Sequence, residues 1–466
     1  MLAVYTRGGD VTRADEFVVK FLSGKDSGNC DTRAILIIIL VSPTERQRDL
    51  HIKTHVEATP ETAFPTDALR LLHDYEGRAL APPQKTYSRL ITHLLSAHSS
   101  VAHAHAWDLF THMRYVAHPK PDALMYTTMI RACASPSISS RGEPERALDL
   151  FTEMTIDSEL PPTAGAYIAT ILACARSGRE KYVHEAFRLA KEMMDAHRDA
   201  YGRSQFEPDH RFFCALLEGA KRIGDLARVR WILAEMVKES LEQGQAADEV
   251  RVDPRKAIHE EAMLHVLHAY AAYRTPFHRS LAPKVPESSQ GVPTSEAESA
   301  KPADELAEEA VDIVAEPDHA FSRLPPQSHA EVVHEAKALF TRLLEDHRSR
   351  AANGIFAHVE LTPRLLNAYL SVYYAHAPFE TWRELFKTLH SEAGVPRNAR
   401  SYVEALERCA IAKKSERAVA LQLAQEVFPQ WQALEASWRA GGLQDVVTHA
   451  RLIERASAAM IRVYSL

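Results

Sequence analysis

The chain has 466 residues, a net charge of −7 and a pI near 6.4. That length exceeds one ordinary compact domain, and that charge rules out the strong whole-body positive field of many nucleic-acid binders. The charge is uneven: residues 285–320 carry ten acidic residues and one Lys, a net −9, so the remainder stands at +2 against the whole-chain −7. The five Cys show no paired spacing of the kind that binds zinc, and the thiols suit a reducing compartment. The most apolar run, AILIIILV at 34–41, is far short of the ~20 residues a membrane span needs.

Residues 1–60 form a poorly defined N-terminal region. Its first 22 residues mix Arg7, Arg13 and Lys20 with Asp10, Asp15 and Glu16, unlike an acid-poor transit peptide. Residues 66–83 read as the second helix of a degraded repeat, capped by Thr66 or Asp67. From Gln84 onward a unit recurs. One copy, 84–122, reads QKTYSRLITHLL, then AWDLFTHM, then KPD; the next, 123–163, reads ALMYTTMIRACA, ALDLFTEM and PPT. Each is two helix-length apolar patterns followed by a Pro-bearing turn, a period of about 35–40 residues that marks a helical repeat array. Phe110 and Phe151 are 41 residues apart at equivalent places. Ala106, Leu109, Phe110 and Met113, like Ala147, Leu150, Phe151 and Met154, are spaced to share one helix face.

A third copy spans 164–209, with Tyr167 and Gly178 in register, and a fourth spans 210–253, with Phe213 and Gly224. The fifth is split: a first helix at about 255–273, a second at about 328–346, and between them an acidic, Pro/Ser/Glu/Ala-rich insertion at 275–327 whose composition predicts disorder. Copy six spans 363–398. Copy seven starts at Ala399 with Tyr402 in register, and its second helix is expected at about 415–428. Residues 430–466 lack the register and read as capping helices. Repeats thus occupy 61–274 and 328–429. Cys133, Cys174 and Cys409 share the eleventh position of their first helices with Tyr270 and Tyr373, which predicts buried packing side chains.

These copies resemble the pentatricopeptide repeat family, on the early Tyr87 and Tyr126, the Ala-x-x-Leu-Phe-x-x-Met box and the Pro-Asp boundary. The tetratricopeptide signature of an early Trp and Leu-Gly is not found in them. The resemblance implies an all-α fold, an α-α superhelical solenoid of about seven helix pairs, roughly sixteen helices in all, right-handed if the family geometry holds. It also implies binding of single-stranded RNA, one base per repeat, by side chains on the first helices. In the family the readers are the fifth residue of the first helix and the last residue of the unit. Transferred by position, these are Ser88 with Asp122, Thr127 with Thr163, Ile168 with Asp209, Cys214 with Asp253, Leu264 with Thr362, Asn367 with Asn398, and Val403. The apolar members cannot hydrogen-bond a base edge. The second position, apolar in the family, holds Lys85, Arg211, Arg364 and Arg400, cations that either stack on bases and grip phosphates or decorate the surface.

No Gly-rich phosphate loop, HExxH or nucleophile elbow is present, so no enzyme chemistry, cofactor or metal site is expected. His103, His105, His112 and His118 are the densest His group, without ligand spacing on one face. The resemblance implies action in the mitochondrial matrix on messenger or ribosomal RNA, with the mitochondrial ribosome or other proteins as further partners. The alternative is a protein-binding scaffold that has lost RNA recognition.

Overall fold

The computed structural model describes residues 2–3, 10–23, 43–97, 99–135, 141–195, 198, 202, 204–246, 257–276, 325–349, 354–441 and 446–465. The hydrophobic run at 34–41, the body of the acidic insertion (277–324) and Asp253 lie outside them. The described chain is all-α: eighteen α-helices and one π turn. It divides into two compact units, Met1–Phe206 and Glu207–Leu466.

In the first unit, α1 (Val11–Ser23) leads into α2 (Glu45–Ala58), α3 (Thr66–Gly77), α4 (Gln84–Ser96), α5 (Ser100–Val116), α6 (Ala123–Ala134), α7 (Pro144–Thr152), α8 (Ala164–Arg176) and α9 (Glu180–Asp195). Successive helices pair, and the first helices α6 and α8 lie side by side. The α3 helix has a partner that the sequence reading left undefined. That partner, α2, opens with a capping box in which Thr44 and Gln47 satisfy each other's backbone N–H, and it packs on both α3 and α4. Neither Thr66 nor Asp67 caps α3; Pro65 holds the cap position without a side-chain bond. Pro fixes its own φ, so the chain enters the helix pre-bent.

The repeat register is a packing register. Tyr87, Tyr126 and Tyr167 are at most 2% exposed. Phe110 packs edge-on to Tyr126 of the next pair at 6.5 Å, and Phe151 meets Tyr167 of the pair after it at 5.0 Å with the rings tilted. The Tyr hydroxyls, which burial would otherwise strand, donate to carboxylates: Tyr87 to Glu76, Tyr126 to Glu153 at 3.0 Å and Tyr167 to Glu192 at 3.1 Å. After α7 the chain widens into a π turn, Glu153–Asp157, which buries Met154 and places Glu153 against both Tyr126 and Arg114.

In the second unit the order is α10 (His210–Ile223), α11 (Leu226–Ala246), α12 (Glu260–Ala272), α13 (His329–Ser349), α14 (Pro363–His376), α15 (Phe379–Glu392), α16 (Ala399–Cys409), α17 (Arg417–Gly441) and α18 (Val446–Ser465). The first helices α10, α12 and α14 adjoin in sequence order despite the insertion between α12 and α13; a long loop adds only a logarithmic closure cost. Gly224 ends α10 at φ +71, a left-handed cap that a side chain would strain.

The last repeat departs from expectation. Its second helix does not stop near 428 but runs through Pro429 as α17. Proline removes one ladder bond. Buried Leu423, Ala424, Val427 and Trp431 on either side of it hold the helix to the core regardless. Cys133, Cys174 and Cys409 are at most 1% exposed, as the register predicts, and burial pushes each thiol up to about 12. Among the described residues no helix is long and apolar enough to cross a membrane.

Candidate nucleic-acid interface

At five repeat boundaries the last residue of the repeat is the N-cap of the next first helix, whereas His259 holds the cap position of α12 without a side-chain bond. Asp122 accepts from Met125 N at 2.7 Å, Thr163 from Ala166 N at 3.1 Å, Asp209 from Phe212 N at 2.8 Å, Thr362 from Leu365 N at 3.3 Å and Asn398 from Ser401 N at 3.0 Å. Short polar side chains are preferred there because they satisfy an orphan helix donor. This accounts for their residue types without any ligand. The signal was in the sequence, since each stands immediately before a first helix.

The fifth positions are largely buried. Ser88 is 8% exposed and Thr127 7%. Each hydroxyl donates to its own helix, Ser88 to Gln84 O at 3.3 Å and Thr127 to Ala123 O at 2.6 Å, which leaves only acceptor lone pairs for a partner. Asn367, 5% exposed, donates from Nδ2 to Asn398 Oδ1 at 3.1 Å and accepts from Ser401 Oγ at 2.8 Å. This is the one transferred pair joined by a hydrogen bond among the described residues. Thr127 and Thr163 converge on Gly165, where an added Cβ would lie 3.5 Å from Thr127 and 3.8 Å from Thr163. Ser88 and Asp122 share no hydrogen bond among the described residues.

The second positions divide. Lys85 reaches Asp49 at 2.8 Å, and Arg400 reaches Glu404 at 3.2 Å. Burial alone would raise the Asp49 carboxyl, but bonds from Lys85, Arg89 and Thr86 hold it below the ordinary value. Arg211 and Arg364 are exposed and make no ion pair among the described residues.

Cations from three first helices act on His268 of α12. Crowding by its neighbours, and then the charges of Lys221, Arg400 and Arg364, bring its imidazole down to about 4. Glu218, a 6%-exposed carboxylate, is the local counter-charge. It is held by Lys221, by Arg222 at 2.6 Å and by His265 at 3.2 Å. Burial would raise Glu218, but Lys221 leads the charges that hold it low. The sequence reading missed this cluster because its members sit on separate helices.

Beside it is a cleft of about 480 Å³ lined by His210, His259, His358, Glu261, Glu360 and Arg364, among others. Three His/Cys/carboxylate groupings occur among the described residues: Asp15 with His51 and His55, His73 with Glu76 and His112, and His210 with Cys214 and Glu261. Of the dense His group picked from sequence, only His112 takes part. The first two groupings are already closed by direct bonds of 2.7–3.0 Å to one carboxylate oxygen each. The third is open.

No family profile and no curated protein matches the chain. The chain is similar to pentatricopeptide repeat proteins of solved structure. Two are forms of PPR10 in complex with an 18-nucleotide psaJ RNA element, one of them a variant with three cysteines changed to serine. Each is 16% identical at a TM-score of 0.43, covering 98% of this chain. A third is PPR10 from maize, 15% identical at a TM-score of 0.28, covering 99% of this chain and 67% of that one. The chain spans 58% of the length of the two RNA complexes.

Proposed function

We propose that the protein is an RNA-binding helical-repeat protein acting on single-stranded organellar RNA, without enzymatic chemistry of its own. The observation that carries this reading is that Arg211 and Arg364, at the second position of the first helices α10 and α14, are exposed and make no ion pair among the described residues. They supply local positive charge on a chain whose total charge is negative, and phosphate contacts need only the local field. The repeat resemblance and the buried thiols, none of them in a disulfide, support a reducing organelle, the mitochondrial matrix, as its compartment. RNA stability, processing, splicing or translation, or work on the ribosome, are the steps that reading entails. Base readout rests on few positions: Asn367 with Asn398, Thr127 with Thr163, and Ser88.

The test is Arg211→Glu combined with Arg364→Glu. RNA binding weakens, and the slope of log affinity against log salt becomes shallower by about one to two contacts. Unchanged affinity and slope would remove the first-helix surface as the RNA site. Crosslinking and sequencing from isolated mitochondria then tests compartment and ligand together. Recovery of protein partners with no discrete transcript favours the scaffold reading, to which the acidic insertion and the apolar Ile168, Cys214, Leu264 and Val403 also point.

A further inference from the structure

The cleft beside α12 interrupts the proposed reading surface. In this copy the fifth position of the first helix is Cys214, whose thiol is 3.3 Å from His210 Nε2 one turn earlier. His210 Nε2 in turn lies 4.0 Å from Glu261 Oε2, in the first turn of the adjacent first helix. One ligand atom from each of the three lies within 4.8 Å of the other two. His259 is next: its ring centroid is 4.8 Å from that of His210, and His358 lies 6.5 Å beyond it.

These separations suit a tetrahedral ion. Zinc bonds of about 2.0–2.3 Å to nitrogen, oxygen and sulfur set neighbouring donors roughly 3.4–3.6 Å apart. The His210–Cys214 and His210–Glu261 distances bracket that edge, and Cys214 and Glu261 lie within 4.8 Å of each other, so closure needs shifts of up to about one ångström. The spacing is what helical geometry provides: His210 and Cys214 are i and i+4 on one face of α10. The cleft wall carries Glu260, Glu261 and Glu360 against the single cation Arg364. Three carboxylates attract a cation, and Cys214 and Leu264 in the reader slots cannot hydrogen-bond a base edge, so this stretch is a poor base reader and a good metal seat.

The geometry points to a mononuclear site for a divalent transition ion, zinc(II) by its mixed donor set, with Cys214, His210 and Glu261 as ligands and the fourth position open to the cleft next to His259. Imidazole, carboxylate and thiolate donors select a borderline ion over magnesium or calcium. Binding replaces the thiol proton of Cys214, so each ion taken up releases about one proton. The ion would tie α10 to α12, two first helices that already adjoin and share the Glu218–His265 pair.

The test uses the full chain without RNA, so its outcome is separate from the RNA reading. The probes are Zn²⁺ by equilibrium competition with a chelator and Co²⁺ by absorption spectroscopy. The wild type takes up one equivalent, and Co²⁺ gives a thiolate-to-metal charge-transfer band together with the intense visible bands of a tetrahedral site. Cys214→Ser abolishes the charge-transfer band. His210→Asn, at a part-exposed position that does not threaten the core, weakens Zn²⁺ by more than the roughly 10- to 100-fold that loss of an outer partner costs. Cys133→Ser and Cys174→Ser leave the band in place. A band that survives Cys214→Ser, or Zn²⁺ affinity unchanged in His210→Asn, would overturn the site, as would no uptake by the folded wild type.

Discussion

Asn367 and Asn398, 31 residues apart, are joined by a hydrogen bond of 3.1 Å across a repeat boundary, and Ser401 closes the triangle by bonding to both. Asn398 also caps α16. Replacing Asn398 by Ala therefore removes a cap and leaves the Asn367 amide buried without its acceptor. The expected loss is about 1–3 kcal/mol, read as a lower denaturation midpoint. Asn398→Asp keeps both the cap and the acceptor and should stay close to wild type. Asn367→Asp would face Asn398 Oδ1 with a second acceptor, so it should destabilise as well as alter any base preference. If Asn398→Ala and Asn398→Asp unfold together, the triangle contributes nothing.

The stripe Ala147, Leu150, Phe151 and Met154 turns one face of the second pair into the core, and Met154 is fully buried in the π turn. Met154→Ala should cost about 2–5 kcal/mol through lost burial and the cavity left behind. Met154→Leu conserves volume and should cost under about 1.5 kcal/mol. Comparable midpoints for the two would mean that the turn relaxes around the cavity.

Periodicity carried the fold because burial repeats. Tyr87, Tyr126 and Tyr167 recur where the next pair must be met, and the Cys/Tyr position recurs where two helices face each other. In the eroded pair only α2 escaped, because it is polar at most positions, and its buried side includes Arg48, Asp49, His51 and His55. No hydropathy pattern marks a helix that buries charged residues through ion pairs. The candidate site was legible only in part. The local spacing of His210 and Cys214 is in the sequence, but Glu261 joins them only because α12 stacks on α10. The same holds for the cations near His268. A residue's position in the repeat names its helix face but not its partner, and the partners decide which cations remain available.

Lys85 illustrates that limit. By position it matches Arg364, yet it reaches Asp49, a carboxylate that also takes Arg89 at 2.8 Å and Thr86 at 2.9 Å. Lys85→Ala should lower RNA affinity less than Arg364→Ala does, by a measured ratio of binding constants at one salt concentration. Its stability cost should stay within about 1 kcal/mol, because Lys85 is more than half exposed and Arg89 remains to neutralise Asp49. A larger RNA defect for Lys85→Ala than for Arg364→Ala would place the RNA path along α4 and away from the second unit.

Acid should destabilise the protein in two stages. His51, His376 and His390 all have imidazoles below the ordinary 6.5, in each case chiefly because burial penalises the charged form. As pH falls past 6.5 the unfolded chain binds protons that the folded chain refuses, so their stabilisation, complete above 6.5, is lost toward the folded values. Each such group contributes a slope of up to about 1.4 kcal/mol per pH unit. The lowered carboxyls of Asp49 and Glu76 act later. Burial would raise both, but bonds from Lys85, and from Tyr87 and His112, outweigh it, so their contribution is lost only below their unfolded values of 3.8 and 4.5. Denaturation midpoints at pH 7.5, 6.5 and 5.5 should fall monotonically. His390 isolates the first stage. It is 4% exposed, its Nδ1 pairs with Val395 O at 3.2 Å, and its Nε2 has no partner among the described residues. Protonation would therefore strand a buried N–H. His390→Gln keeps a donor for Val395 O but cannot titrate, so the fall between pH 6.5 and 5.5 should become shallower by as much as one proton's worth. An unchanged slope in that variant would mean that His390 gains access to water before it is protonated.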